Sequence, residues 1–204
     1  MRPHVCVTAF LFASPAFAQD GPSFDCSKAG SDAERLVCAD ADLARLDRQL
    51  SDRFAAAIDV ARGLEVGAQT AEDEIRATQR GWISGRDECW KADDLRSCMA
   101  DAYLRREGDL VARWMLEDPT GTSFWACGGN PANEVATTFF DTELPSVRFE
   151  RGDSITTGFL SSTASGARYD ADFGRYIWIK GEEAEYRDPD PDGALYSCVL
   201  AGSN

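Results

Sequence analysis

The hydrophobic positions change their period near the middle of the chain. From Phe24 to about Leu116 the spacing is helical. Leu36, Leu43, Leu46, Leu50, Phe54 and Ile58 recur at intervals of three, four and seven, which lines one face of a helix. Ser31 followed by Glu34 has the spacing of a capping box, so this first helix is expected to open at Ser31. Gly63 and Gly67 punctuate it. A second helix carries Ile75, Gln79, Trp82, Arg86 and Cys89 on one face. A third carries Leu95, Met99, Tyr103, Arg106, Leu110 and Trp114. Short connections between them predict an antiparallel helical hairpin plus a third helix.

Glu117-Asp118-Pro119-Thr120-Gly121 reads as a linker, and after it the period becomes two. Segments 123–127, 134–140, 146–150, 154–161, 175–180, 184–187 and 195–200 read as short strands separated by Gly, Pro, Asp and Asn. That many short strands in so short a stretch predict a small antiparallel barrel or sandwich, which limits exposed edges. The expected fold class is therefore α+β with two domains: a helical domain over 19–116, a linker over 117–122 and a β-barrel over 123–204.

Residues 1–18 read as a secretory signal. Arg2 precedes the apolar run from Val5 to Phe12, and Ala16-Phe17-Ala18 offers a small-residue cleavage site before Gln19. The run is too short to span a bilayer and no other stretch approaches that length, so no transmembrane segment is expected. Cys6 falls inside the leader and does not follow a cleavage site, so no lipid-anchor cysteine is expected. Loss of the leader removes Cys6 and also His4, the only histidine. Six cysteines are left, an even number, and this implies disulfides and an oxidising compartment. A chain without histidine excludes Ser-His-Asp and Cys-His catalysis and histidine-ligated metals.

Charge narrows the partner. The chain has 21 Lys+Arg against 35 Asp+Glu, a net −14. Phosphate binding needs clustered basic residues, so nucleic acid is excluded as a simple partner. A basic partner is favoured, because fields of opposite sign steer encounter.

The cysteines divide four and two between the halves. Cys127 and Cys198 lie on the first and last predicted strands, and joining them would tie the two ends of a barrel together, worth roughly 4 kcal/mol. Cys26, Cys38, Cys89 and Cys98 allow three pairings. Proximity in sequence favours Cys26–Cys38 with Cys89–Cys98. An antiparallel hairpin keeps Cys38–Cys89 with Cys26–Cys98 open as the rival.

Few residues suggest chemistry. Lys180 ends the apolar strand Tyr176-Ile177-Trp178-Ile179 and precedes Gly181, where an ammonium can project from a strand end. Spacing alone favours reading it as a charge that blocks aggregation of that strand. Ser161 to Tyr169, with Gly166, makes a pliant hydroxyl-rich loop from which Ser165 can project. Asp188-Pro-Asp-Pro-Asp-Gly193 matches the opening of a calcium loop, but Val199 stands where a bidentate glutamate is needed, so an acidic turn is expected. Glu182, Glu183 and Glu185 lie on a polar turn and lack the apolar cleft that a glycosidase acid requires. Trp125 and Trp178 read as barrel core. Gln79, Trp82 and Arg86 read as a contact face or as a buried Arg–carboxylate brace. No metal site and no cofactor are expected.

The β half resembles the MliC-like domain, the membrane-bound lysozyme inhibitor of C-type lysozyme. The matching pieces are Phe124-Trp-Ala-Cys127, Ser165-Gly-Ala-Arg-Tyr169, Tyr176-Ile-Trp-Ile-Lys-Gly-Glu-Glu-Ala184 and the closing Cys198. The helical half resembles the LprI-like domain at Phe24-Asp-Cys26, Glu34-Arg-Leu-Val-Cys38, Leu43 to Asp47, Gln79-Arg-Gly-Trp-Ile83, Arg86-Asp-Glu-Cys89, Cys98 and Tyr103. The first resemblance implies a loop serine and a lysine that enter the lysozyme cleft. These map onto Ser165 and Lys180, with Gly166 and Gly181 beside them and Tyr169 bracing the loop. It implies a non-enzymatic periplasmic protein whose partner is C-type lysozyme, itself basic. The competing expectations are an envelope scaffolding module and a cell-wall glycosidase.

Overall fold

The computed structural model describes residues 21–203 apart from Pro131. The predicted leader, with Cys6 and His4, lies outside the described residues.

Four helices precede the barrel: α1 (Asp32–Ala39), α2 (Ala41–Arg62), α3 (Ala68–Asp87) and α4 (Leu95–Trp114). The capping box is present, with Glu34 N donating to Ser31 Oγ at 3.1 Å and Ser31 N to the Glu34 carboxylate at 3.2 Å. The expected single first helix is broken in two at Asp40. The backbone there is extended (φ −113°, ψ 117°), and the Asp40 carboxylate accepts from Asp42 N and Leu43 N, both at 3.0 Å. Those two donors would otherwise lack partners at the start of α2, so the aspartate caps a new helix start. The apolar spacing runs on across the break and conceals it.

The helices bury Val37, Leu43, Leu50, Ala57, Ile75, Met99 and Leu110 in one core. Cys26–Cys38 and Cys89–Cys98 are the observed disulfides, which removes the rival pairing. The expected arginine brace is also present. Arg86 on α3 is only 5% exposed. It donates to the Tyr103 hydroxyl on α4 at 3.0 Å, which donates to Asp47 on α2 at 2.9 Å. Arg86 also holds Asp87 at 2.7 Å. One buried cation thus ties three helices through a satisfied network, the condition under which burying it is tolerable.

The β half is a closed eight-stranded meander: β1 (Gly121–Cys127), β2 (Glu134–Phe140), β3 (Ser146–Arg151), β4 (Ser154–Ser161), β5 (Ala167–Ala171), β6 (Tyr176–Lys180), β7 (Glu183–Arg187) and β8 (Leu195–Ser203). Of these, β5 was not anticipated. Every neighbouring pair is antiparallel, and β1 closes on β8 with Cys127 directly opposite Cys198 and bonded to it. The interior holds Trp125, Val135, Val147, Phe149, Ile177 and Tyr186. Trp125 is core as expected, its indole N–H donating to Thr137 Oγ1 at 2.9 Å.

Helix α4 lies on the outer face of β2, β3 and β4. Gly108 permits this approach, because a Cβ there would stand 3.0 Å from the Phe159 ring and 3.2 Å from Ser146 Cβ. Val111, Ala112 and Leu116 pack on Phe140 beside it. Arg45 grips Glu143 through two 3.0 Å hydrogen bonds, and Arg148 donates to the Arg113 carbonyl at 2.6 Å. Among the described residues no helix is long and apolar enough to cross a membrane.

Candidate functional site

In an up-and-down barrel the connections alternate between the two ends. The β2–β3, β4–β5 and β6–β7 connections share one end, so Ser165 and Lys180 are brought to the same rim. The helical domain occupies β2–β4, whereas Lys180 is carried by β6, on another part of the wall.

The Ser165 loop is folded back on the end of β6. Thr163 Oγ1 donates to the carbonyls of Ser165 and Gly166, at 3.1 and 3.2 Å. Gly166 has φ +71°, and a Cβ there would collide with the Ile179 carbonyl. Only glycine lets this loop lie against β6 so closely. Ser165 is left exposed. At the next connection Lys180 stands opposite Glu183, and Gly181 takes the positive φ (+70°) that a two-residue hairpin turn demands at its first position.

Trp178 joins the two elements. Its indole N–H donates to the Ser165 carbonyl at 2.9 Å, while the Lys180 ammonium lies 3.5 Å from the centre of its ring. This corrects the expectation that Trp178 is core. Ile177 and Ile179 take the inward positions of β6, and the pleat therefore turns Trp178 outward with Lys180. The alternation Ile-Trp-Ile-Lys was the signal that could have placed it.

Lys180 is distinctive in its partners. Lys28 pairs with Asp25 and Lys91 with Glu88, but among the described residues Lys180 makes no ion pair. Its ammonium rests on the Trp178 ring instead of on a carboxylate. Beside it an open groove of about 350 Å³ runs over the outer faces of β6, β7 and β8, walled by Trp178, Glu183, Glu185, Ser197 and the exposed Val199. Tyr169 lies on β5, packed against the barrel core. Its ring packs 5.4 Å from Phe139, and burial pushes its hydroxyl pKa above the usual value.

The other candidates have structural duties. Asp188 and Asp190 are held by Arg151 and Arg187, and no cluster of metal-ligating side chains occurs among the described residues. Gln79 accepts from Arg106 at 3.0 Å, and the Trp82 indole donates to the Ala102 carbonyl at 3.0 Å. The Glu185 carboxylate accepts from the Tyr176 hydroxyl at 2.6 Å. At this rim Lys180 offers an ammonium, Ser165 a hydroxyl and Trp178 an aromatic edge, beside the exposed carboxylates of Glu182 and Glu183.

Comparison with known proteins divides the chain at the same place. Residues 125–195 match the family described as membrane-bound lysozyme-inhibitor of c-type lysozyme (MliC). Residues 25–110 match the family described as lysozyme inhibitor LprI. Among curated proteins, the lipoproteins LprI of Mycobacterium bovis and Mycobacterium tuberculosis are 29% identical over 154 residues, covering 73% of this chain and 71% of theirs. No solved structure matches the chain significantly. Both matched families are described as inhibitors, which supports a lysozyme-inhibitor type of function in general and a non-catalytic protein. The chain therefore consists of an N-terminal LprI-like helical domain followed by a C-terminal MliC-like barrel.

Proposed function

We propose that this protein inhibits C-type lysozyme by inserting Lys180, with Ser165 beside it, into the enzyme's active-site cleft. The observation that carries the reading is the exposed ammonium of Lys180, unpaired with any carboxylate among the described residues and held over Trp178. A retaining glycosidase such as lysozyme keeps two carboxyl groups about 5 Å apart. One ammonium between them can pair with both, and the charge-assisted contacts gain strength as water is excluded. Ser165 can donate or accept beside it. The 117–204 segment holds 15 acidic and six basic residues, so a basic enzyme is drawn toward the barrel before contact.

The same reading places the protein outside the cytoplasm, after removal of residues 1–18. Its three disulfides suit an oxidising compartment, and its mycobacterial relatives are lipoproteins.

The test is the clearing of a suspension of lysozyme-sensitive cells. The mature protein is expected to block clearing by added lysozyme and to cause none alone. Inhibition should be competitive with a chitin oligosaccharide that fills the cleft. Clearing by the protein alone would make it an enzyme. Binding to lysozyme without competition would place the contact outside the cleft.

A further inference from the structure

The helical domain packs on β2, β3 and β4, which leaves the groove of about 350 Å³ over β6, β7 and β8 open to solvent. Strand pairing sets its walls in rows. Lys180 stands opposite Glu183, and Glu183 opposite Val199. One row along, Trp178 stands opposite Glu185, and Glu185 opposite Ser197. Residues two apart on a strand share a face, so Glu183 and Glu185 both point into the groove. Trp178 and the exposed Val199 flank them with apolar surface.

The neighbouring cations are engaged elsewhere. Arg168 holds Asp170 at 2.8 Å and lies 3.8 Å from the centre of the Tyr176 ring. Arg187 holds Asp190 at 2.7 Å. Lys180, the cation that lines the groove, rests on Trp178. Among the described residues neither Glu183 nor Glu185 makes an ion pair, although Glu185 accepts from the Tyr176 hydroxyl. Two carboxylates therefore face the groove against one ammonium. When Lys180 enters the enzyme and pairs there, that ammonium is withdrawn and both carboxylates are left uncompensated against the same basic partner.

We propose that the groove receives an arginine side chain from the lysozyme surface beside the cleft, an inference that rests on the inhibition proposed above. The occupant has to be cationic to meet Glu183 and Glu185, and its stem has to cover Val199 and Trp178. A guanidinium on a long apolar stem does both. It forks onto carboxylates and stacks on aromatic rings, whereas an ammonium is a strongly hydrated point charge. The groove adjoins the Lys180 rim, so one enzyme molecule engages both.

The test uses the mature protein and a C-type lysozyme carrying ¹⁵N-labelled arginine. Glu183→Gln with Glu185→Gln is compared with Glu134→Gln and Asp153→Asn, which remove the same charge from the opposite end of the barrel. Long-range attraction acts on association, and close pairing acts on dissociation. The groove variant should dissociate at least about tenfold faster than wild type, and the control at the wild-type rate. An arginine Nε–H signal of lysozyme should shift in the wild-type complex and keep its free position in the saturated complex with the groove variant. Circular dichroism checks folding, and Glu183→Gln alone serves where the double variant does not fold. A groove variant that dissociates no faster than the control, or no arginine signal that separates the two complexes, would overturn the groove while wild-type inhibition stands. Wild type that fails to bind lysozyme would overturn the groove and the inhibition together.

Discussion

Trp178 allows the geometry of the rim to be tested apart from its charge. Two contacts depend on this side chain, and they can be removed in sequence. Trp178→Phe keeps a ring beneath Lys180 but deletes the hydrogen bond to the Ser165 carbonyl. A neutral hydrogen bond contributes about 1 kcal/mol net, so inhibition should weaken about fivefold if that bond holds the loop ready for lysozyme. Trp178→Ala also removes the cation–π contact, worth about 0.5–1 kcal/mol at an exposed site, and frees the lysine stem, whose reordering costs a similar amount. A total near 2 kcal/mol corresponds to roughly 30-fold weaker inhibition. Inhibition constants come from the rate of cell clearing, with circular dichroism as the check on folding. The decisive quantity is the coupling between Trp178→Ala and Lys180→Ala in a double-mutant cycle. The expected coupling is about 0.5–1 kcal/mol, because the tryptophan acts partly through the lysine. Strict additivity would refute the idea that Trp178 positions Lys180, and an unchanged inhibition constant for Trp178→Ala would refute any role for it.

Other consequences follow from packing and charge. Gly108→Leu forces a side chain against Phe159 and Ser146 and should lower stability by about 1–3 kcal/mol, with the helical and barrel transitions separating in calorimetry; an unchanged single transition would contradict the close approach of α4. Breaking Cys127–Cys198 by a double serine substitution opens a loop of sequence separation 71, and should cost about 4 kcal/mol in chemical denaturation. A loss near zero would mean that the ladder closes the barrel unaided. Hydrogen bonds from Arg62 first, and then Arg76, hold the Glu72 carboxyl down to about 2. A depressed carboxyl contributes stability above its unfolded range near 4.5 and loses it as pH falls through about 2. Glu72→Gln should therefore flatten the fall in melting temperature across that window, and a decline parallel to wild type would show that the pair does not hold α2 to α3.

Local chemistry decided what the sequence revealed. Ser31 and Glu34 announced the first helix because a capping box needs only two residues at fixed spacing. The barrel was visible because inward positions such as Val147 and Phe149 alternate with the polar Ser146, Arg148 and Glu150. Three features were hidden. Asp40 restarts a helix inside an unbroken apolar period, and a periodic signal is blind to a cap that keeps phase. Strand β5 was read as loop, since Arg168 and Asp170 flank Tyr169 and a Ser/Gly run precedes it; its alternation is real but short. Trp178 reads as core beside Trp125, although Ile177 and Ile179 claim the inward positions. The end of the strand that carries Lys180 was legible, because the apolar run 176–179 stops there before Gly181.

The central claim concerns one charge, and Lys180→Met tests it with little change in shape. Truncating one partner of a buried, hydrogen-bonded charge pair costs about 2–5 kcal/mol. The inhibition constant toward a C-type lysozyme should therefore rise at least roughly 30-fold, with the circular dichroism and melting temperature of the inhibitor unchanged. A folded Lys180→Met protein that inhibits as well as wild type would show that the ammonium is not what blocks the cleft.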